Sequence, residues 1–191
     1  MKTRQAVLGL ALLLAATSAW SGIKVAVAGK AYESKSGNYA IEFPAGWKYD
    51  GSGMNCGASR DGFDLNALGV EIRKHKNAFK AIKKAASEQS LPQELAENFV
   101  ANMKAEGGNE GIEVLESEPT ELAGKPAFRL HLKYRVLIDV GALDYEQIVV
   151  GTVTPKGLLL VGYRAPSLHY FAAQRAAFDA ALASFRLASA K

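Results

Sequence analysis

Apolar and polar residues alternate with a period of two along most of this chain, and with a helical period in only a few places. Tyr39, Ile41 and Phe43 alternate with Ala40 and Glu42, the spacing of a strand with one buried face. Pro44-Ala45-Gly46 then suits a type I turn, and Trp47 and Tyr49 resume the alternation on a returning strand. Residues 51–64 have no periodicity, which predicts a mobile glycine-rich loop. Leu68, Val70 and Ile72 mark a third strand, and Phe79, Ile82 and Ala86 stand at helical spacing in a lysine-rich segment. Ser90 with Gln93 reads as a capping box. The helix it predicts carries Leu95, Phe99 and Met103 as its apolar stripe, with Val100 beside it, and stops at Gly107-Gly108.

The second half is mostly strand. Ile112 and Val114 begin a short one, and Gly124-Lys125-Pro126 predicts a turn. A long strand follows, with Phe128, Leu130, Leu132, Tyr134, Val136 and Ile138 on one face and Arg129, His131, Lys133 and Arg135 on the other. Gly141 to Asp144 reads as a turn into a strand over Tyr145–Thr154, and Thr154-Pro155-Lys156-Gly157 as the next turn. Leu158–Arg164 is apolar on both faces, as a central strand covered on each side requires. Pro166-Ser167 opens a last helix whose stripe is Leu168, Phe171, Phe178 and Leu182, with Phe185 beyond it.

Short turns between sequential strands make the sheet antiparallel, and amphipathic helices must bury their stripes on its faces. The pattern therefore predicts an α+β domain: a mainly antiparallel twisted sheet of six to seven strands with helices on its faces, an α/β/α sandwich.

The first residues follow a different rule. Lys2 and Arg4 precede an apolar run from Ala6 to Ala16 and the small residues Thr17-Ser18-Ala19, the layout of a secretory signal peptide cut after Ala19. A second cut site lies after Ala28. The domain division is a signal peptide over residues 1–19, a lead-in over 20–31 with disorder as one reading, and a single domain over 32–188. Export places the protein in the periplasm or outside the cell, in solution once the leader is removed.

Composition narrows the function classes. Of 23 cationic side chains, two belong to the leader; the remaining 21 face 19 acids, so net charge gives no support to a nucleic-acid role. The lone Cys56 cannot form an internal disulfide, and with no second thiol or flanking His it reads as a tolerated residue of the loop.

Three stretches together resemble the PsbP-like superfamily, which includes the DcrB-like bacterial envelope proteins. They are Gly37-Asn38-Tyr39-Ala40-Ile41-Glu42-Phe43-Pro44-Ala45-Gly46-Trp47, the Gly124-Lys125-Pro126-Ala127 lead into a long strand, and the closing meander with Phe178 to Ser184-Phe185. The resemblance implies a central antiparallel sheet between helices. It implies accessory binding roles, such as extrinsic photosystem subunits, envelope proteins and GTPase-binding adaptors, and no single activity.

Catalytic and metal chemistry find little support. His75, His131 and His169 are far apart, and no Gly-x-Ser-x-Gly elbow is present, so the chain reads as a non-enzyme with no cofactor and no metal. Zinc lacks ligand spacing. Asp61, Asp64 and Asn66 place oxygens at positions one, four and six, whereas a calcium loop needs one, three and five.

Two basic features remain. Arg73, Lys74, Lys76, Lys80, Lys83 and Lys84 put six cations in twelve residues without an acid; a helical face of this kind suits anionic lipid or an acidic partner as well as plain solvent. The row Arg129, His131, Lys133 and Arg135 fits an anion, or equally a covering helix with acids such as Glu94 and Glu97. The sequence thus predicts an exported, non-enzymatic binding protein of the cell envelope acting through protein–protein recognition with an unidentified envelope partner. The alternative is a peripheral module docking on anionic lipid or polymer through Arg73–Lys84.

Overall fold

Alternation in the second half of the chain becomes a continuous meander to which every other element attaches. The computed structural model describes residues 22–138 and 141–188; the signal peptide predicted over residues 1–19 therefore lies outside the described residues. In chain order the elements are β1 (Lys24–Val25), β2 (Tyr32–Ser34), β3 (Tyr39–Ile41), β4 (Lys48–Ser52), β5 (Asn55–Ser59), β6 (Ala67–Arg73), α1 (Pro92–Glu106), β7 (Asn109–Leu122), β8 (Lys125–Ile138), β9 (Gly141–Thr154), β10 (Gly157–Pro166), α2 (Ala172–Ser184) and β11 (Arg186–Leu187).

Eight strands form one sheet in the order β1-β4-β5-β6-β10-β9-β8-β7, and β11-β3-β2 form a small second sheet. Every pairing among the described residues is antiparallel. The fold is thus the predicted α+β class, with a larger sheet than the six to seven strands expected. The turn between β7 and β8 is Ala123-Gly124, both at positive φ (50° and 75°), the geometry that matches the right-handed twist of a hairpin.

Each face of the large sheet has its own core. On one, Phe128, Leu130 and Leu132 of β8, Val149 and Val153 of β9, and Leu158 and Leu160 of β10 meet Leu95, Phe99 and Met103 of α1. On the other, Ile148 and Val150 of β9 and Leu159, Val161 and Tyr163 of β10 meet the small sheet and Phe178 and Ala181 of α2. Coverage on both sides explains the unbroken apolar run of β10. Tyr39 and Trp47 are buried in the second core. Large aromatics bury the most area per residue, which accounts for the Tyr-to-Trp motif structurally.

Several boundaries differ from the sequence reading. Residues 51–64 are not one loop: β4 and β5 pair from Lys48↔Ser59 to Ser52↔Asn55. The segment after β6 is no helix; it is a 3-10 turn at His75–Asn77 and a loop closed by a bridge between Phe79 and Lys84. Its apolar residues are buried as predicted, with Phe79 and Ala86 in the α1-side core. Ser90 does not cap α1. Leu91 is the N-cap, Pro92 occupies the first turn, and Ser90 Oγ instead accepts from Ser87 N. Gly141–Asp144, read as a turn, belongs to β9 and pairs with β8 as far as Ile138↔Gly141. The last helix starts at Ala172, after an irregular stretch at Ser167–Phe171 in which Leu168 and His169 are non-helical. Residues 24–25 of the lead-in form β1 against β4. No helix among the described residues is long and apolar enough to cross a membrane.

Candidate functional site

The two basic features predicted from sequence do not meet in the fold, and each is partly absorbed by local pairing. At the end of β6, Arg73 holds Glu71 with two nitrogens (2.9 and 3.1 Å) and lies 5.8 Å from the Phe99 ring centroid. Lys84 donates to Asn98 Oδ1 of α1 at 2.8 Å. These two cations hold the segment against α1. Lys74, Lys76, Lys80 and Lys83 are exposed, and none of the ion pairs among the described residues includes them.

The β8 row faces acids on both neighbouring strands. Across to β7, Glu118, Glu116, Glu113 and Glu110 stand opposite Arg129, His131, Lys133 and Arg135. Across to β9, Glu146 and Asp144 stand opposite Lys133 and Arg135. Opposite charges in cross-strand register stabilise the ladder and leave little unbalanced field for an external anion. The covering helix is α2 rather than the one carrying Glu94 and Glu97. Arg129 lies 3.9 Å from Asp179 of α2, while α1 packs on the apolar face.

His131 Nε2 meets Glu146 Oε2 at 2.8 Å, and its ring stacks on Phe171 at 5.2 Å between centroids. The described hydrogen bonds bring neither His131 nor His169 to a serine, and His75 contacts only the carbonyls of Ala86 and Pro155. Cys56 lies buried in β5, where Tyr39 OH reaches its Sγ at 3.2 Å; burial pushes the thiol up to about 12. Around Asp61–Asn66, Asn66 Oδ1 accepts from Ser59 Oγ and Arg60 N, and its amide donates to Asp61. That loop is tied by protein hydrogen bonds, and no group of three potential metal ligands occurs among the described residues.

One end of the sheet supplies the feature that the sequence reading missed. The ladder between β9 and β10 ends at Tyr145↔Pro166, that between β7 and β8 at Asn109↔Val136. The arms of β8 and β9 continue beyond both as a two-stranded ribbon. That ribbon and the stretch after β10 expose Leu137 (54%), Ile138 (39%), Leu143 (39%) and Leu168 (87%). Beside the ribbon lies an open groove of about 610 Å³ lined by Arg135, Ala142, Leu143, Asp144, Pro166, Ser167 and Leu168. Its charges are matched: Arg135 Nε is 3.2 Å from Asp144 Oδ1. Ser167 Oγ is buried without a hydrogen-bond partner. The signal was present in the sequence as three large apolar residues, Leu137, Ile138 and Leu143, flanking a predicted turn, where polar residues are usual.

Neither a family model nor a curated protein matches this chain. Solved structures do. PsbP of the cyanobacterium Synechocystis superposes with a TM-score of 0.54 at 17% identity, covering 91% of this chain and 98% of its own. The Ran-binding protein Mog1p of Saccharomyces cerevisiae gives 0.55 at 12%, covering 83% and 94%. A Bacteroides thetaiotaomicron protein gives 0.50 at 13%, covering 85% of this chain and 50% of its own. At these identities the likeness concerns architecture, and it covers the helix–sheet–helix body described above. In fold, this chain is PsbP-like.

Proposed function

We propose that this protein is an exported accessory protein of the cell envelope that works by binding another protein and not by catalysis. The observation that carries the reading is the exposure of Leu143 and Leu168 at the groove, with Leu137 and Ile138 exposed on opposite faces of the adjoining ribbon. Large apolar side chains gathered on a rim mark an interaction site, and aliphatic contacts inside a polar surround are how recognition surfaces are built. The leader of residues 1–19 supports export. The test is crosslinking of the tagged full-length protein in its own cell envelope, beside the double variant Leu143→Asp/Leu168→Asp. A specific adduct that the variant loses supports the reading. Equal recovery by both proteins, or no adduct, rejects it.

A second reading keeps the anionic-surface alternative, narrowed to Lys74, Lys76, Lys80 and Lys83. It is favoured by their common exposure and lack of ion pairs among the described residues. Each lysine near an anionic membrane contributes about 1 kcal/mol, so four give on the order of 10³-fold in affinity. Co-sedimentation with phosphatidylglycerol vesicles then falls steeply as salt rises, and reversal of the four to Glu abolishes it. Salt-insensitive binding removes this alternative.

A further inference from the structure

The groove has the shape of a missing strand. From Tyr145 onward β9 has β8 on one side and β10 on the other. Over Gly141–Asp144 the β8 pairing persists while β10 has ended at Pro166. Among the described residues no backbone hydrogen bond joins 141–144 to the segment that follows β10. The result is a free strand edge of four residues, about 13 Å long, opening into the groove lined by Pro166, Ser167 and Leu168.

The chain turns away from that position through a strained bend. His169 has φ 73° and ψ −55°, the classic γ-turn region, which is rare and unfavourable for any side chain. Strain of this kind is retained mainly at ligand clamps and switch segments. Here it leaves Leu168 87% exposed beside the groove. Continuing β10 straight on would have filled the edge of β9 at no such cost.

We infer that an extended segment of a partner protein adds to the free edge of β9 at Gly141–Asp144, in line with β10 and beneath Leu168. The inference rests on the recognition role proposed above and gives it a mode. Strand addition supplies affinity through main-chain hydrogen bonds, and pockets for alternate side chains supply selectivity. Three observations define the occupant. The edge offers peptide N–H and C=O groups, which an acyl chain cannot satisfy. The rim charges Arg135 and Asp144 already satisfy each other, so the segment need carry no net charge. A four-residue edge is far short of the ~800 Å² per partner that a stable dimer buries, so it fits a short segment better than a second copy. Leu168 and Ala142 give its side chains an apolar wall.

Selection of random heptapeptides displayed on phage against the full chain tests this, with synthetic copies of the winners titrated by amide hydrogen exchange. Winners with alternating apolar, uncharged residues are expected. They should slow exchange over residues 141–144 by at least roughly tenfold, and Leu168→Asp should weaken them about tenfold, as loss of an interface anchor does. Because Leu168 is exposed, that variant keeps the thermal midpoint of the parent. Failure to select a binder, protection confined elsewhere, or indifference to Leu168→Asp overturns the inference. So does protection at 141–144 that grows with protein concentration alone, which assigns the edge to a second copy, or the same protection from phosphatidylglycerol vesicles, which assigns it to lipid. A crosslinked envelope partner retained by Leu168→Asp alone overturns the strand-addition mode and leaves the recognition role standing.

Discussion

Cys56 shows how a single side chain links packing to pH. Its thiol is pushed up to about 12 from an ordinary value of 9.0, chiefly by burial. Tyr39, whose hydroxyl reaches Sγ, is raised as well, again first by burial. A raised acid favours the folded state below its unfolded pKa, and that contribution is lost as pH rises toward the folded value. Between pH 9 and 10 the unfolded chain releases the thiol proton and the folded chain does not, which costs about 1 kcal/mol over that unit and approaches about 1.4 kcal/mol per unit above it. Urea unfolding of the parent should therefore weaken from pH 9 upward, and Cys56→Ala should weaken less steeply between pH 8 and 10, where only the buried tyrosines with raised values still contribute. Parallel curves for the two proteins would remove Cys56 as the cause. The sequence predicts a loop around this thiol because Gly51, Gly53 and Gly57 interrupt the alternation. Gly51 lets the Tyr32 ring lie close over the strand, since a Cβ at that position would fall 2.5 Å from the ring's outer atoms. A close approach of this kind leaves no periodic signature, so the hairpin of β4 and β5 was illegible.

At the level of elements, the lysine-rich segment shows burial and conformation separating. Phe79, Ile82 and Ala86 have helical spacing, and all three pack inward, yet the segment is a loop. Tertiary partners replace its internal hydrogen bonds: Ala81 N donates to Asn102 Oδ1 at 2.8 Å, and Lys84 Nζ to Asn98 Oδ1. Asn98 and Asn102 are buried on α1. Two polar residues four apart beside an apolar stripe were the sequence clue that this helix receives something other than another helix. Phe79→Ala, which empties a fully buried site, should cost about 3–5 kcal/mol. Asn102→Ala removes the acceptor of the part-buried Ala81 N–H bond and should cost about 0.5–1.5 kcal/mol. Reversal of the exposed Lys76 and Lys80 should stay within about 0.5 kcal/mol of the parent. Denaturant midpoints on the four proteins check the order; a lysine effect as large as that of Phe79 would contradict the loop packing described here. By contrast, the meander of β8, β9 and β10 was legible, because strand period and two-sided burial act on every residue of those strands. Its ends were not, since the register at which β10 stops depends on the bend at His169.

For the whole molecule, the N-terminal boundary carries a consequence for processing. Lys24–Val25 pair with Tyr49 and Lys48 at the end of the large sheet. Ala26 is buried in the α2-side core and exchanges two backbone bonds with the hairpin, Ala26 N to Trp47 O at 2.8 Å and Gly46 N to Ala26 O at 2.9 Å. A chain beginning after Ala28 loses β1, both bonds and the buried Ala26 side chain, and leaves β4 as an unpaired edge. Two hydrogen bonds at about 0.5–1.5 kcal/mol each set the loss at no less than roughly 1–3 kcal/mol, before the β1–β4 ladder and side-chain burial are counted. A chain beginning at Trp20 keeps them all. Urea unfolding of proteins starting at Trp20 and at Gly29 should show the longer one more stable by at least that amount. Intact-mass measurement of exported protein should find the Trp20 form. A mature chain starting at Gly29 with undiminished stability would mean that β1 is an ornament on the sheet, and that the fold ends at β4.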